Sequence, residues 1–193
     1  MAKTAIRKLP KPERRAQLIE TAKEILRECG ADALTLGHLA ERAGVSKPIA
    51  YEHFGTREGL LIALSHEIEE RHTTKLKKAL SQTPADLPSI AGIIAATYIE
   101  CAAENGSEWQ AMSSALRGNA EMDRVQQELA DDYVALIAAA VAPHSRLAES
   151  DLRLRCAGIA GAAETIAREF VRGRATESDA AVNLAALIVN GFA

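Results

Sequence analysis

The sequence predicts an all-α protein, and three observations carry that expectation. Aromatic residues make up only 4% of the 193 positions, alanine is abundant and β-branched runs are few, a composition that favours helix over strand. Apolar residues recur three and four positions apart along most of the chain, the period of one helix face. Glycine and proline fall at the ends of these stretches, where they close helices.

The elements follow in order. Residues 1–12 carry Pro10, Pro12 and the basic Lys3, Arg7, Lys8 and Lys11, and read as a flexible arm. From Glu13 a helix places Leu18, Ala22, Ile25, Leu26 and Cys29 on one face, and Gly30 ends it. Thr35 caps a short second helix with Leu36, Leu39, Ala40 and Ala43 on one face, and Gly44 breaks the chain. Ser46 caps a third helix. Pro48 sits in its first turn, where a missing N–H costs nothing, and the helix ends near Phe54 and Gly55. Thr56 caps a long charged helix reaching about Leu80, and Pro84 and Pro88 mark a loop. Further helices are expected over 86–104, ended by Asn105 and Gly106; over 107–117, opened by the capping pair Ser107 and Gln110; and over 120–142, stopped by Pro143. Two more cover 150–172, closed by Gly173, and 176–190, opened by Thr176 and Asp179. The total is about nine helices: an N-terminal three-helix helix-turn-helix domain and a larger C-terminal helical domain.

Charge and composition narrow the function. Residues 1–60 hold 11 Lys and Arg against 8 Asp and Glu, a net of +3, while 61–193 carry a net of −6. The basic N-terminal part therefore suits a polyanion and the acidic body does not. No run of eighteen apolar residues spans a membrane, and the basic N-terminus lacks the apolar core of a secretory signal. Cys29, Cys101 and Cys156 are three widely spaced thiols. They fit neither a disulfide framework nor a zinc site, and suit a reducing cytoplasm. There is no phosphate loop, nucleophile elbow or metal-spaced His/Cys cluster, so an enzyme is not expected. His66 and His72, on the charged fourth helix, are expected to face solvent.

The chemistry concentrates between Leu34 and Leu61. Two short helices meet at Ala43-Gly44-Val45-Ser46. Gly44 can take the positive φ that the turn needs, Val45 can turn inward, and Ser46 can satisfy free N–H groups at the next helix start. This is the arrangement of a helix-turn-helix, whose second helix enters the DNA major groove. Lys47, Ile49, Ala50 and Tyr51 are its candidate outward residues. An αα-corner in an ordinary core has the same turn, so the turn alone leaves both readings open.

The longer string narrows them. Thr35-x3-Leu39-Ala40-x2-Ala43-Gly44-Val45-Ser46-x4-Tyr51-x-His53-Phe54-x-Thr56-Arg57-Glu58-x-Leu60-Leu61 resembles the DNA-binding domain of TetR-family transcriptional regulators. Arg15, Ile19, Ala22 and the Glu28-x-Gly30 ending also sit where that family places them. The resemblance covers about residues 13–62. It implies a flexible arm over 1–12, a DNA-binding domain over 13–60, and a ligand-binding and dimerisation domain over 61–193. Carried over residue by residue, it implies that Thr35, Tyr51 and His53 bond phosphates and that Lys47, Pro48 and Ile49 face the groove floor. Ser46 would open the recognition helix, and Thr56 and Arg57 would clamp another phosphate at a helix N-terminus. Two departures stand out: Pro48, where the family often has glycine, and Gly37 inside the second helix.

The resemblance further implies a cytoplasmic homodimer on double-stranded palindromic operator DNA, released by a small-molecule effector. It implies no cofactor and no catalytic or metal residues. One short recognition helix reads few base pairs, which also argues for a dimer. Ile159, Ala163, Ile166, Phe170, Leu184 and Ile188, on the apolar stripes of the last two helices, are the expected dimer interface. Tyr98, Cys101, Trp109, Met112 and Tyr133 are the expected ligand pocket. Glu100, Glu104 and Glu108 suit a cationic ligand or a solvated face equally. The alternatives are a regulator of the same fold controlled by a protein partner instead of a small molecule and, behind it, a helical enzyme.

Overall fold

A computed structural model describes the backbone of residues 9–115 and 120–192, and the side chains of 9–106 and 120–192. Among the described residues there are eight α-helices, two short 3-10 turns and no strand. No helix among them is long and apolar enough to cross a membrane. The chain divides into two compact units, Met1–Glu67 with Ser107–Asp123, and Ile68–Gly106 with Arg124–Ala193.

In the first unit, α1 (Lys11–Cys29) begins two residues earlier than its apolar face requires, because Pro12 fits the first turn. Gly30 ends it with φ 76°. Cys29 is exposed, so the apolar face stops at Leu26. α2 (Leu36–Arg42) is capped by the Thr35 hydroxyl, which accepts the His38 N–H at 3.1 Å. α3 (Lys47–Phe54) and the start of α4 (Arg57–Leu80) follow. Leu18, Ile25, Leu34, Leu39, Leu60 and Leu61 are fully buried in this unit, each stabilising it by roughly 2 kcal/mol relative to an exposed position.

The second unit is built on α5 (Leu87–Ala115), α6 (Ala120–Val141), α7 (Glu149–Val171) and α8 (Glu177–Phe192), with the later part of α4. Asp86 caps α5 by accepting the Ser89 N–H at 2.9 Å. Thr176 caps α8 by accepting the Asp179 N–H at 3.1 Å, while its hydroxyl donates to the Asp179 carboxylate at 2.7 Å. The core joins Leu76, Ile94, Ile137, Cys156, Leu184 and Ile188, among others.

The expected break at Asn105 and Gly106 does not occur, since α5 runs through it to Ala115. The reason is tertiary. The Asn105 amide donates to the Cys101 carbonyl at 3.1 Å and accepts from Arg71 at 2.9 Å, so it serves the helix interior. Gly106 makes room for α7, because a Cβ there would stand 2.6 Å from a Val171 methyl. Merging the two expected segments gives eight α-helices where about nine were expected.

Candidate functional site

α2, the turn and α3 form the first candidate site. Gly44 takes φ 66°, and the turn closes through Gly44 N–H to the Glu41 carbonyl at 3.1 Å and Val45 N–H to the Ala40 carbonyl at 2.9 Å. Val45 is half-buried. α3 then turns Ala50 and Phe54 into the core. Its outer side carries Lys47, Pro48 and Tyr51, with Tyr51 54% exposed, and Ile49 and His53 half-buried at the edges. Ala50 is thus a correction: it is fully buried, one helical turn before Phe54, and forms the floor on which α3 rests.

Ser46 holds the N-cap position but its hydroxyl caps nothing, because its own carbonyl accepts the Ile49 N–H at 3.0 Å and Pro48 has no N–H to satisfy. The hydroxyl is exposed. Thr35 is exposed at the start of α2. Lys47 arches toward the same place, its Cε 3.7 Å from where a Cβ on Gly37 would stand. A Cβ on Gly37 would therefore meet the lysine stem in ordinary contact. Thr56 caps α4 by accepting the Gly59 N–H at 3.0 Å.

Arg57 is held by its own unit. Nε donates to the Leu34 carbonyl at 2.8 Å and a terminal nitrogen to the Ala31 carbonyl at 2.7 Å. It ties α4 to the segment leading into α2, which makes it a positioning residue for the site. Arg15 plays a related part that the motif spacing does not reveal. It donates to the His53 carbonyl at the end of α3 (3.1 Å) and lies 5.0 Å from the Phe54 ring centre. Gly59 was also not singled out by the sequence: a Cβ there would fall on the Phe54 carbonyl oxygen. Burial holds His53 below the ordinary histidine range; Glu52 pulls the other way and Lys11, Arg15 and Arg14 reinforce the lowering.

Of the residues expected to line a pocket, Tyr98, Cys101 and Tyr133 lie in the second unit. Tyr98 and Tyr133 are 5.5 Å apart between ring centres, and His72 joins them at 5.6 and 5.2 Å. His72 is only 5% exposed and does not face solvent, because it falls in line with Leu64, Ile68 and Leu76 on the buried side of α4. His66 is exposed as expected. Among the described residues, three buried polar atoms of this cluster have no hydrogen-bond partner: Glu69 Oε1, His72 Nε2 and the Tyr133 hydroxyl. Glu69 Oε1 lies 3.9 Å from His72 Nδ1, yet this is no ion pair. Burial, with Asp132 adding repulsion, pushes Glu69 up to about 7, and burial pulls His72 down to about 4. Burial also pushes the Cys101 thiol up to about 11, so it is an inert thiol. Glu100 and Glu104 both hold Lys75, at 2.9 and 3.4 Å. The side chains of Trp109, Met112 and Glu108 lie outside the described residues.

The residues expected at a dimer interface take the following places within their own chain. Ile159, Ala163, Leu184 and Ile188 are buried in the core of their own unit, and Ile166 and Phe170 pack against that core half-buried. The apolar stripe that the sequence displays is the stripe that α7 and α8 spend on each other and on α5 and α6. The apolar side chains left outside are Leu154 (74% exposed), Val182 (64%) and Leu187 (48%). Gly158 and Gly161 are exposed on α7 with open space where a Cβ would stand.

Residues 18–64 match the family model of the bacterial regulatory proteins, tetR family. The chain is 36% identical over 76 residues to the HTH-type transcriptional activator FasR of Mycolicibacterium smegmatis, covering 39% of this chain and 35% of that one. It is 31% identical over 125 residues to the HTH-type transcriptional regulator BetI of Vibrio campbellii, covering 62% of this chain and 63% of that one. The matches thus span less than two thirds of these relatives' lengths. A crystal structure of a tetR-family transcriptional regulator from Streptomyces coelicolor shares the fold at a TM-score of 0.74 and 18% identity, covering 95% of this chain and 80% of that one. The helix-turn-helix geometry and the family match over residues 18–64 support a TetR-family DNA-binding transcriptional regulator, and the chain as a whole shares the fold of such proteins.

Proposed function

We propose that the protein is a homodimeric repressor that binds a palindromic operator through α3 and leaves it when a small molecule occupies the second unit. The observation that carries this reading is the outer side of α3, where Lys47, Pro48 and Tyr51 stand exposed over a helix anchored by Ala50 and Phe54. Lys47 and Pro48, with Ile49 at the edge, meet base edges. Thr35, Ser46, Tyr51, His53 and Thr56 bond phosphates, and Arg57 holds them in register. The basic N-terminal third favours the polyanion.

An eight-residue α3 is about 12 Å long and covers a few base pairs, so specificity requires two copies related by a two-fold axis. Leu154 on α7, which also exposes Gly158 and Gly161, and Val182 and Leu187 on α8 supply apolar surface for the second copy. The effector reading rests on the unsatisfied polar cluster of the second unit, and ligand and operator then oppose each other by a coupling of about 1–3 kcal/mol.

The test is selection of genomic fragments by the purified protein, followed by binding measured against salt. Affinity should fall steeply, with a slope of roughly −0.9 per neutralised phosphate. Lys47→Ala should change operator preference, and Tyr51→Phe should weaken all sites about equally. Salt-independent binding overturns the reading.

A further inference from the structure

We infer that the second unit carries a site for a protonated organic amine, its ammonium group seated on Glu69 Oε1, His72 Nε2 and the Tyr133 hydroxyl. The inference rests on the proposed ligand-responsive role and names its ligand class.

Three buried polar atoms without a partner in one ring cluster are unusual, since buried polar groups are nearly always hydrogen-bonded. Each can accept a hydrogen bond. Glu69 offers a carboxylate oxygen, a neutral imidazole offers one bare nitrogen, and a phenol offers its oxygen lone pairs. An alkylammonium presents three N–H donors, and so matches the set in number and in sign.

The charges around the cluster agree. The neighbouring carboxylate is a like charge, Asp132. The nearby cations among the described residues are committed elsewhere: Lys75 is held by Glu100 and Glu104, Arg71 donates to Asn105, and Arg168, near Tyr98, pairs with Glu164 at 3.1 Å. Glu69 is thus left without a paired cation among the described residues. His72, Tyr98 and Tyr133, mutually 5.2–5.6 Å apart, add aromatic surface that favours a positive charge. A carboxylate ligand would face Glu69 and Asp132 unscreened. A neutral alcohol would satisfy hydrogen bonds but leave the charge unmatched.

The experiment uses the full-length chain without DNA. Titration calorimetry compares hexylamine with hexanol and hexanoate, which share its chain length. Hexylamine should bind about tenfold tighter than either, and Glu69→Gln should remove about tenfold of that affinity while leaving hexanol unchanged. Glu69→Gln keeps the shape and breaks no existing bond of Oε1, so the variant should fold. Tyr133→Phe, which removes only the hydroxyl, should weaken hexylamine several-fold and serves if the first variant does not fold. Equal binding of amine and alcohol, no amine binding, or indifference of hexylamine to both variants overturns the proposal. Because this readout omits the operator, its failure is separate from failure of the ligand-released reading. Release of operator DNA by a compound that is not an amine would keep that reading and discard this one.

Discussion

The two units treat polar side chains in opposite ways. In the first, Thr35, Thr56, Arg15 and Arg57 each meet a backbone amide or carbonyl at 2.7–3.1 Å. In the second, half-buried Glu69 and buried His72 and Tyr133 each carry a buried polar atom with no hydrogen-bond partner among the described residues. A reading head must hold α3 at a fixed angle, and every internal hydrogen bond that leaves Lys47 and Tyr51 outward serves that purpose. The ligand-sensing body proposed above would gain from the reverse. Polar groups left unsatisfied in the empty state raise its energy by about 1–3 kcal/mol each, and a ligand that satisfies them recovers that energy as affinity. The comparison predicts that substitutions act through stability in one unit and through ligand and pH in the other.

The largest expected effect tests where the second unit's apolar stripe is spent. Ile188→Asp should unfold that unit, costing about 4 kcal/mol or more, because a charge would enter a closed core. Leu187→Asp, one residue along but 48% exposed, should leave a folded chain and weaken self-association. Circular dichroism and light scattering separate the outcomes. A well-folded monomer from Ile188→Asp would put that residue at the interface after all.

Next comes the pH response of the unsatisfied cluster. Glu69 moves from an ordinary 4.5 to about 7 on folding, so its contribution to stability is complete below 4.5 and is lost as pH rises through 7. His72 moves from 6.5 to about 4, so its contribution is complete above 6.5 and is lost as pH falls through 4. Comparison of wild type with Glu69→Gln isolates the first. The variant should gain about 2 kcal/mol relative to wild type between about pH 5.5 and about pH 8, read from urea melts. A constant difference across that range would mean that Glu69 is solvated.

A similar or smaller effect is expected in the reading head. Arg57→Ala should cost about 1–2 kcal/mol by freeing the Ala31 and Leu34 carbonyls. It should weaken operator binding without altering the salt slope. A slope reduced by about one unit would show that Arg57 neutralises a phosphate instead.

What the sequence could reveal follows the same division. The caps at Thr35 and Thr56 and the turn at Gly44 act within three or four residues, so local spacing exposes them. Asn105 and Gly106 look like a helix end because their reasons, Arg71 and Val171, lie 34 and 65 positions away. The burial of His72 was partly legible: Leu64, Ile68, His72 and Leu76 repeat every four residues, but the many charges of α4 mask the stripe. The stripes of α7 and α8 were visible, but which copy of the chain they face was not. Apolar periodicity marks a buried face without naming its partner.

The smallest expected effect tests whether Gly37 is there for Lys47. Glycine inside α2 costs the helix about 1 kcal/mol relative to alanine, and its φ is ordinary, so nothing in the backbone requires it. Alanine would meet the Lys47 stem at 3.7 Å, normal contact without a clash. Gly37→Ala should therefore stabilise the first unit by about 0.5–1 kcal/mol. The added methyl removes clearance beside Lys47 and narrows the positions that its ammonium can take. Operator affinity should change by less than about threefold, while discrimination among operator variants should shift at the base pair that Lys47→Ala also affects. Raised stability with identical discrimination would reduce Gly37 to a plain weakness of the helix. Lowered stability would mean that the contact with Lys47 is closer than 3.7 Å implies.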